Sequence, residues 1–231
     1  MSNSINCFPW VICFEGLPGG GKTTQLKKIK KWLLDMGLRV SIIDLDTVEA
    51  YPLLQKTIKE LSIDDPVRSM YFWPLQAQKD REISKIIEAD LYDVILLNRH
   101  FGSTIAYDCA IGIPPTVLDY IGTHIKVKPH LTFYLQVPIS IAIKRKNAAS
   151  FKRIALLEKI SMEFQRCKSM ENWVVVDATK SIIEVFEMII MVIQVRFRSY
   201  LKKENLAPRR PRLKLVDPQT TPLDLKKTRV S

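Results

Sequence analysis

The chain has 231 residues, enough for one large domain or a domain plus a tail, and 47% of them are hydrophobic, enough for a sizeable core. No run reaches the roughly 18 apolar residues needed to cross a bilayer; the most apolar stretch, 181–195, is interrupted by Glu184, Glu187 and Gln194 and reads as a packed helix. The net charge of +11 is uneven: eleven Lys or Arg against three acidic residues fall in 196–231, so basicity is a property of the tail and weak evidence for a nucleic-acid-binding fold.

Residues 1–9 carry no basic n-region, and the four cysteines (Cys7, Cys13, Cys109, Cys167) are scattered without a CxxC pair. These features predict a soluble cytoplasmic protein with reduced thiols. With three histidines in the chain, a dedicated zinc site is not expected.

In chain order, 10–15 is a short apolar run ending in glycines, the pattern of a buried parallel strand. A helix follows over 22–36, with Leu26, Ile29, Leu33 and Leu34 on one face and Gly37 to close it. Residues 40–43 make a second strand ending at Asp44 and Asp46. A mostly helical region over 48–89 is broken near Pro52 and Pro66. Residues 94–97 form a third strand, leading into Asn98-Arg99-His100; helix resumes at Ser103 and stops near Pro114-Pro115. A fourth strand covers 131–137, helices 139–146 and 153–170, a fifth strand 173–177, and a long helix 180–203. Five apolar strands alternating with helices predict an α/β fold with a parallel sheet covered on both faces. After Asn205, four prolines and scattered charges leave no periodicity. The chain therefore divides into a domain over 1–204 and a basic tail over 205–231 expected to be disordered.

Gly16-Leu17-Pro18-Gly19-Gly20-Gly21-Lys22-Thr23 fits G-x-x-x-x-G-K-[ST], between a strand and a helix as its mechanism requires. Loop N–H groups and the positive helix end would surround phosphates. Glycines 19 to 21 permit close backbone approach, Lys22 would bridge β- and γ-phosphates, and the Thr23 hydroxyl would ligate Mg²⁺. Residues 16–23, with Thr24, are thus the expected binding set for ATP and Mg²⁺.

The longer string from Phe14 to Gln25, FEGLPGGGKTTQ, resembles the opening of the thymidylate kinase family, F-E-G-x-[D/E]-G-x-G-K-[ST]-T-Q. Asn98-Arg99-His100 with Ser103, Ala106 and Tyr107 resembles that family's D-R-[YH]…S…A-Y-Q. The stretch 129–138, followed by Lys144 and Arg145, is similar to its P-D-L-T strand and the start of its lid, and 176–179 to the strand ending beside the adenine. The resemblance covers roughly 10–194. It implies a three-layer P-loop kinase fold with five parallel strands in the order 2-3-1-4-5, and a nucleotide substrate. It also implies a phosphate-binding role for Arg99, base stacking for Phe72, and acceptor-site positions for Gln76, Asn98, Ser103 and Tyr107. Ala178 would lie beside the adenine, and Arg145 and Arg153 would bring cations from a lid over about 145–153. A homodimer is implied by resemblance alone. Bland readings stand beside these: core packing for Phe72, cap and core roles for Ser103 and Tyr107, a surface salt bridge for Arg99, and a solvated basic face for the lid.

Three departures bear on the acceptor: Pro18 replaces a loop carboxylate, Asn98 replaces the Asp of D-R-[YH], and Asp44-Leu45-Asp46 replaces an R-E-P-G-G-type loop. The leading expectation is phosphorylation of dTMP by ATP. A deoxynucleoside kinase using Asp44 or Asp46 as base is one alternative, since a nucleoside hydroxyl needs a proton acceptor and an ionised monophosphate does not. A degenerate ATP-binding module with a partner-binding tail is another. The cluster Arg209-Arg210-Pro211-Arg212 reads more readily as a solubilising or trafficking appendage than as a nucleic-acid contact.

Overall fold

The computed structural model describes residues 9–62, 64–146, 151–167 and 172–203, without the side chains of 151–153 and 198–203. Strands β1 (Trp10–Glu15), β2 (Val40–Ile43), β3 (Val94–Asn98), β4 (Leu131–Gln136) and β5 (Trp173–Asp177) form one sheet. Its order is β2-β3-β1-β4-β5, and every neighbouring pair is parallel. All six residues of β1 are buried, which is why its sequence is a continuous apolar run and not an alternating one. The two faces of β1 serve different layers. Ile12 and Phe14 join a cluster with Leu26 and Ile29 of helix α1 (Lys22–Asp35) and Ile189 of helix α8 (Ile182–Lys203). Val11 and Cys13 pack with Ile83 of helix α3 (Pro66–Glu88) and with Val127. Ile95, Leu96 and Leu97 at the sheet centre are fully enclosed, each contributing about 1.5–3 kcal/mol of burial.

Prolines separate the middle helices, but by starting them. Pro52 lies in the first turn of α2 (Tyr51–Glu60), and Pro66 in that of α3, where the Asp65 carboxylate accepts the Val67 N–H at 2.9 Å. A missing N–H costs nothing in a first turn. Pro74 sits inside α3, which runs on through it. The same rule corrects the expectation of a simple stop at Pro114-Pro115: the helix there, α4 (Phe101–Ala110), ends as expected, and Pro115 opens another, α5 (Pro115–His124). Helices α6 (Ile139–Lys146) and α7 (Phe151–Cys167) follow β4. Gly37, at φ 82, closes α1, its N–H donating to Leu34 O at 2.8 Å. No helix among the described residues is long and apolar enough to cross a membrane.

Parallel pairing delivers all strand carboxyl ends to one edge, where ligands of open α/β sheets bind. Phe14 pairs with Asn98, and Ile43 with Leu97. Hence the glycine loop after β1, the Asn98-Arg99 turn after β3 and Asp44 after β2 meet at one place.

Candidate active site

The glycine loop packs against β4 and α6 so closely that side chains are excluded at Gly16 and Gly19. A Cβ on Gly16 (φ 134) would stand 2.6 Å from Leu135 O, and one on Gly19 (φ 84) 2.4 Å from Ala142 O. Gly21 is the N-cap of α1 and no side chain caps that helix, so its first-turn amides remain for an anion. Lys22 folds back over the loop, its Nζ donating to Gly16 O at 3.0 Å and Leu17 O at 2.9 Å. Burial, then the Arg99 charge, holds the Lys22 pKa well below the usual lysine range, against the pull of Glu15 and Asp44. A cavity runs along this loop. Its wall includes Pro18, Gly19, Gly20, Gly21, Lys22, Thr23 and Thr24, together with Asn98, Arg99, Arg145 and Ala178. Arg145 ties its rim together, donating to Ala178 O at 3.1 Å and Gly19 O at 3.4 Å.

Arg99 has a left-handed backbone (φ 62), unusual for a residue with a side chain. Its surroundings impose that conformation. The Arg99 N–H donates to Phe14 O at 3.0 Å, and the buried Lys79 ammonium donates to the carbonyls of Asn98 (3.2 Å) and Arg99 (2.7 Å). Glu15, only 1% exposed, accepts the N–H groups of His100 (2.8 Å) and Ser103 (3.1 Å) and the Ser103 hydroxyl. That carboxylate both anchors the turn and sits at the positive end of α4. Glu15→Ala would leave two amides unpaired in the interior and is expected to cost about 2–4 kcal/mol in urea unfolding; an unmoved midpoint would remove Glu15 as the anchor. Held this way, the guanidinium donates to Ser103 Oγ at 2.7 Å and to the Tyr107 hydroxyl at 3.5 Å, and lies 5.3 Å from the Tyr107 ring.

On the far side of Arg99 lies a second cavity of about 280 Å³, within reach of the size of small-ligand sites. Phe72, Gln76, Asn98, Arg99, Ser103 and Tyr107 all line it, as do Lys79 and Asp44. Phe72 also packs beside the small cluster of Val48, Ile58 and Leu75, so it belongs both to that cluster and to the cavity wall. Gln76 meets His100 Nδ1 through its Nε2 at 2.9 Å, while His100 Nε2 faces Val127 O at 3.0 Å. Burial, then Lys79, lowers the His100 pKa to about 4. The ring is therefore neutral near pH 7; it donates from Nε2 and accepts at Nδ1, which fixes the Gln76 amide. Asp108, at the end of this cavity, accepts from Ser69 Oγ (2.6 Å) and Trp73 Nε1 (2.5 Å).

Not every expected residue reaches a cavity. Gly16 and Leu17 line neither; Leu17 is 1% exposed, and both contribute carbonyls that hold Lys22. Residues 147–150 of the expected lid, the Arg153 side chain and the tail lie outside the described residues. Glu15 and Lys79, which shape the Arg99 turn, are not on the expected list. Lys79 does leave a trace in sequence: it interrupts the four-residue spacing of Leu75 and Ile83 on the buried face of α3.

The family model described as "Thymidylate kinase" matches residues 14–189. Among curated proteins, the chain is 31% identical over 192 residues to "Probable thymidylate kinase 1" of Saccharolobus solfataricus, covering 80% of this chain and 96% of that protein. It is 30% identical over 190 residues to "Probable thymidylate kinase" of Sulfurisphaera tokodaii, with the same coverage. It is 28% identical over 214 residues to "Thymidylate kinase" of Prochlorococcus marinus, covering 84% and 98% of the two chains.

Proposed function

This chain belongs to the thymidylate kinase family and is a nucleoside monophosphate kinase of that type, and from that premise we propose that it transfers the γ-phosphoryl group of ATP to the 5′-phosphate of dTMP. One observation carries the reading: the glycine-loop cavity and the second cavity share Asn98 and Arg99 in their walls, so donor and acceptor phosphates would meet at one guanidinium.

An oxygen of the acceptor phosphate forms the new bond to γ-phosphorus. The bond from γ-phosphorus to the β,γ-bridging oxygen breaks, and its electron pair leaves with ADP. The acceptor phosphate is already anionic at pH 7, so this chain's task is positioning and charge neutralisation. Lys22 leaves the two carbonyls for the β- and γ-phosphates, and Arg99 holds the acceptor phosphate as a two-pronged donor. Arg145 neutralises charge from the rim, and Arg153 takes the same role by family resemblance. Phe72 stacks on the base; Ser103 and Tyr107 aim Arg99. Exposed Thr23 and Asn98, whose enclosed Oδ1 has no partner among the described residues, both line the glycine-loop cavity and offer oxygens of the kind that suits Mg²⁺. When bound with ATP, Mg²⁺ neutralises part of the triphosphate charge.

A nucleoside acceptor would instead require Asp44 as a proton acceptor. Asp44 already accepts the Leu45 N–H at 2.7 Å and the Asn98 amide, and Asp46 lies exposed on the 3-10 turn Leu45–Thr47. A cytoplasmic setting and a homodimer complete the proposal, and residues 205–231, beyond the matched residues 14–189, are read from their basic composition as an accessory appendage. Labelled ATP incubated with a panel of nucleosides and monophosphates tests it: label should pass to dTMP. Transfer to nucleosides and to no monophosphate would overturn it.

A further inference from the structure

The junction between the two cavities holds an acid–amide pair whose arrangement is unexplained by either strand alone. Ile43 of β2 pairs with Leu97 of β3 in parallel, so Asp44 and Asn98 stand side by side where those strands end. Asn98 Nδ2 donates to Asp44 Oδ2, while Asp44 Oδ1 is taken by the Leu45 N–H. The remaining oxygen of the amide, Asn98 Oδ1, is buried and has no hydrogen-bond partner among the described residues. Buried polar atoms are nearly always partnered, and among the described residues Asn98 Oδ1 shares this lack only with Gln25 Oε1, whose residue lines the glycine-loop cavity. Among the described residues, two carboxylates line the acceptor cavity and none lines the glycine-loop cavity. Asp108 is committed to Ser69 and Trp73, which leaves Asp44 as the acid at the junction. Lys79 and Arg99 line the acceptor cavity with it.

In P-loop phosphotransferases the metal is held by the loop hydroxyl and by an acid after a neighbouring strand, and Mg²⁺ keeps much of its water shell. Here the strand beside β1 ends in an amide and the next strand ends in the acid. We propose that Asp44 and Asn98 act as one divided metal anchor: Asp44 supplies the negative charge, and Asn98 Oδ1 supplies the oxygen facing the metal's water shell. Asn98 is thus not a lost acid but half of an acid shared across two strands. The inference rests on the ATP-dependent reading of the glycine loop.

The test exchanges the two groups. The readout is the ratio of ATP dissociation constants measured by calorimetry in EDTA and in excess Mg²⁺. Asp44→Asn should reduce the tightening by Mg²⁺ by about tenfold, the low end of losses for groups that support a metal indirectly. Adding Asn98→Asp to that variant should restore it to within about threefold, since the charge returns beside the same cavity. An Asp44→Asn ratio equal to wild type, or a folded double variant that fails to recover, would overturn the proposal. Asn98→Asp alone covers the case in which Asp44→Asn does not fold. Two carboxylates in contact should lower its melting temperature in EDTA, and Mg²⁺ should recover it; melting insensitive to Mg²⁺ counts against the shared anchor. The acceptor panel on wild-type protein is independent of these outcomes. Transfer to dTMP without rescue by the exchange removes this inference alone; rescue of Mg²⁺-dependent ATP binding without transfer to any monophosphate removes the acceptor assignment alone.

Discussion

Arg99→Gln should lower kcat/KM for dTMP by roughly a hundred- to a thousandfold while leaving the KM for ATP within about threefold, the scale of loss when one preorganised donor to a developing anion is removed. The asymmetry follows from the contacts. The guanidinium is braced by Ser103 and Tyr107, both on the acceptor side, whereas the glycine loop is held by its packing on Leu135 and Ala142. Because Glu15 and Lys79 grip the backbone of the turn and not the side chain, the variant should melt within a few degrees of wild type. Arg99→Lys should recover only part of the loss, since an ammonium keeps the charge and forfeits the two-pronged geometry. Steady-state kinetics with each substrate varied in turn would decide; equal losses for ATP and dTMP would mean that Arg99 shapes the whole cleft instead of holding the acceptor.

Lys22→Met is expected to reduce kcat by about a thousandfold or more, with no loss of fold. The Lys22 ammonium is buried and satisfied by two backbone carbonyls, an arrangement that burial disfavours and that a triphosphate would relieve. Replacing it with an apolar side chain of similar length removes that penalty. The thermal midpoint without nucleotide should stay the same or rise, and the stabilisation that ATP adds should shrink. Undiminished turnover would take the glycine loop out of the reaction.

The sheet was readable because its strands are short and nearly unbroken apolar runs. The phosphate loop was readable because its geometry excludes side chains at Gly16 and Gly19. The strand order followed from resemblance, and the paired registers agree with it. Helix α5 was missed because Pro114-Pro115 carries one local signal for two events, an end and a beginning. Glu15 and Lys79 were missed for a different reason. Glu15 acts 85 residues away, at His100, and Lys79 acts 20 residues away, at the Arg99 carbonyl. Neither distance has a periodic signature; only folding the sheet brings those partners together. Asn98 read as a departure for the same reason, since its partner Asp44 follows another strand.

The left-handed turn at Arg99 sets stability and turnover against each other at a single codon. Glycine adopts that backbone without the roughly 1–2 kcal/mol that a side chain costs there. It would also empty the space beside Ser103 and Tyr107 and leave the incoming phosphate with nothing to grasp. A laboratory population propagated for heat tolerance alone, with product formation unrewarded, should therefore accumulate glycine at position 99. The same population screened for growth on its product should hold arginine and gain its heat tolerance elsewhere.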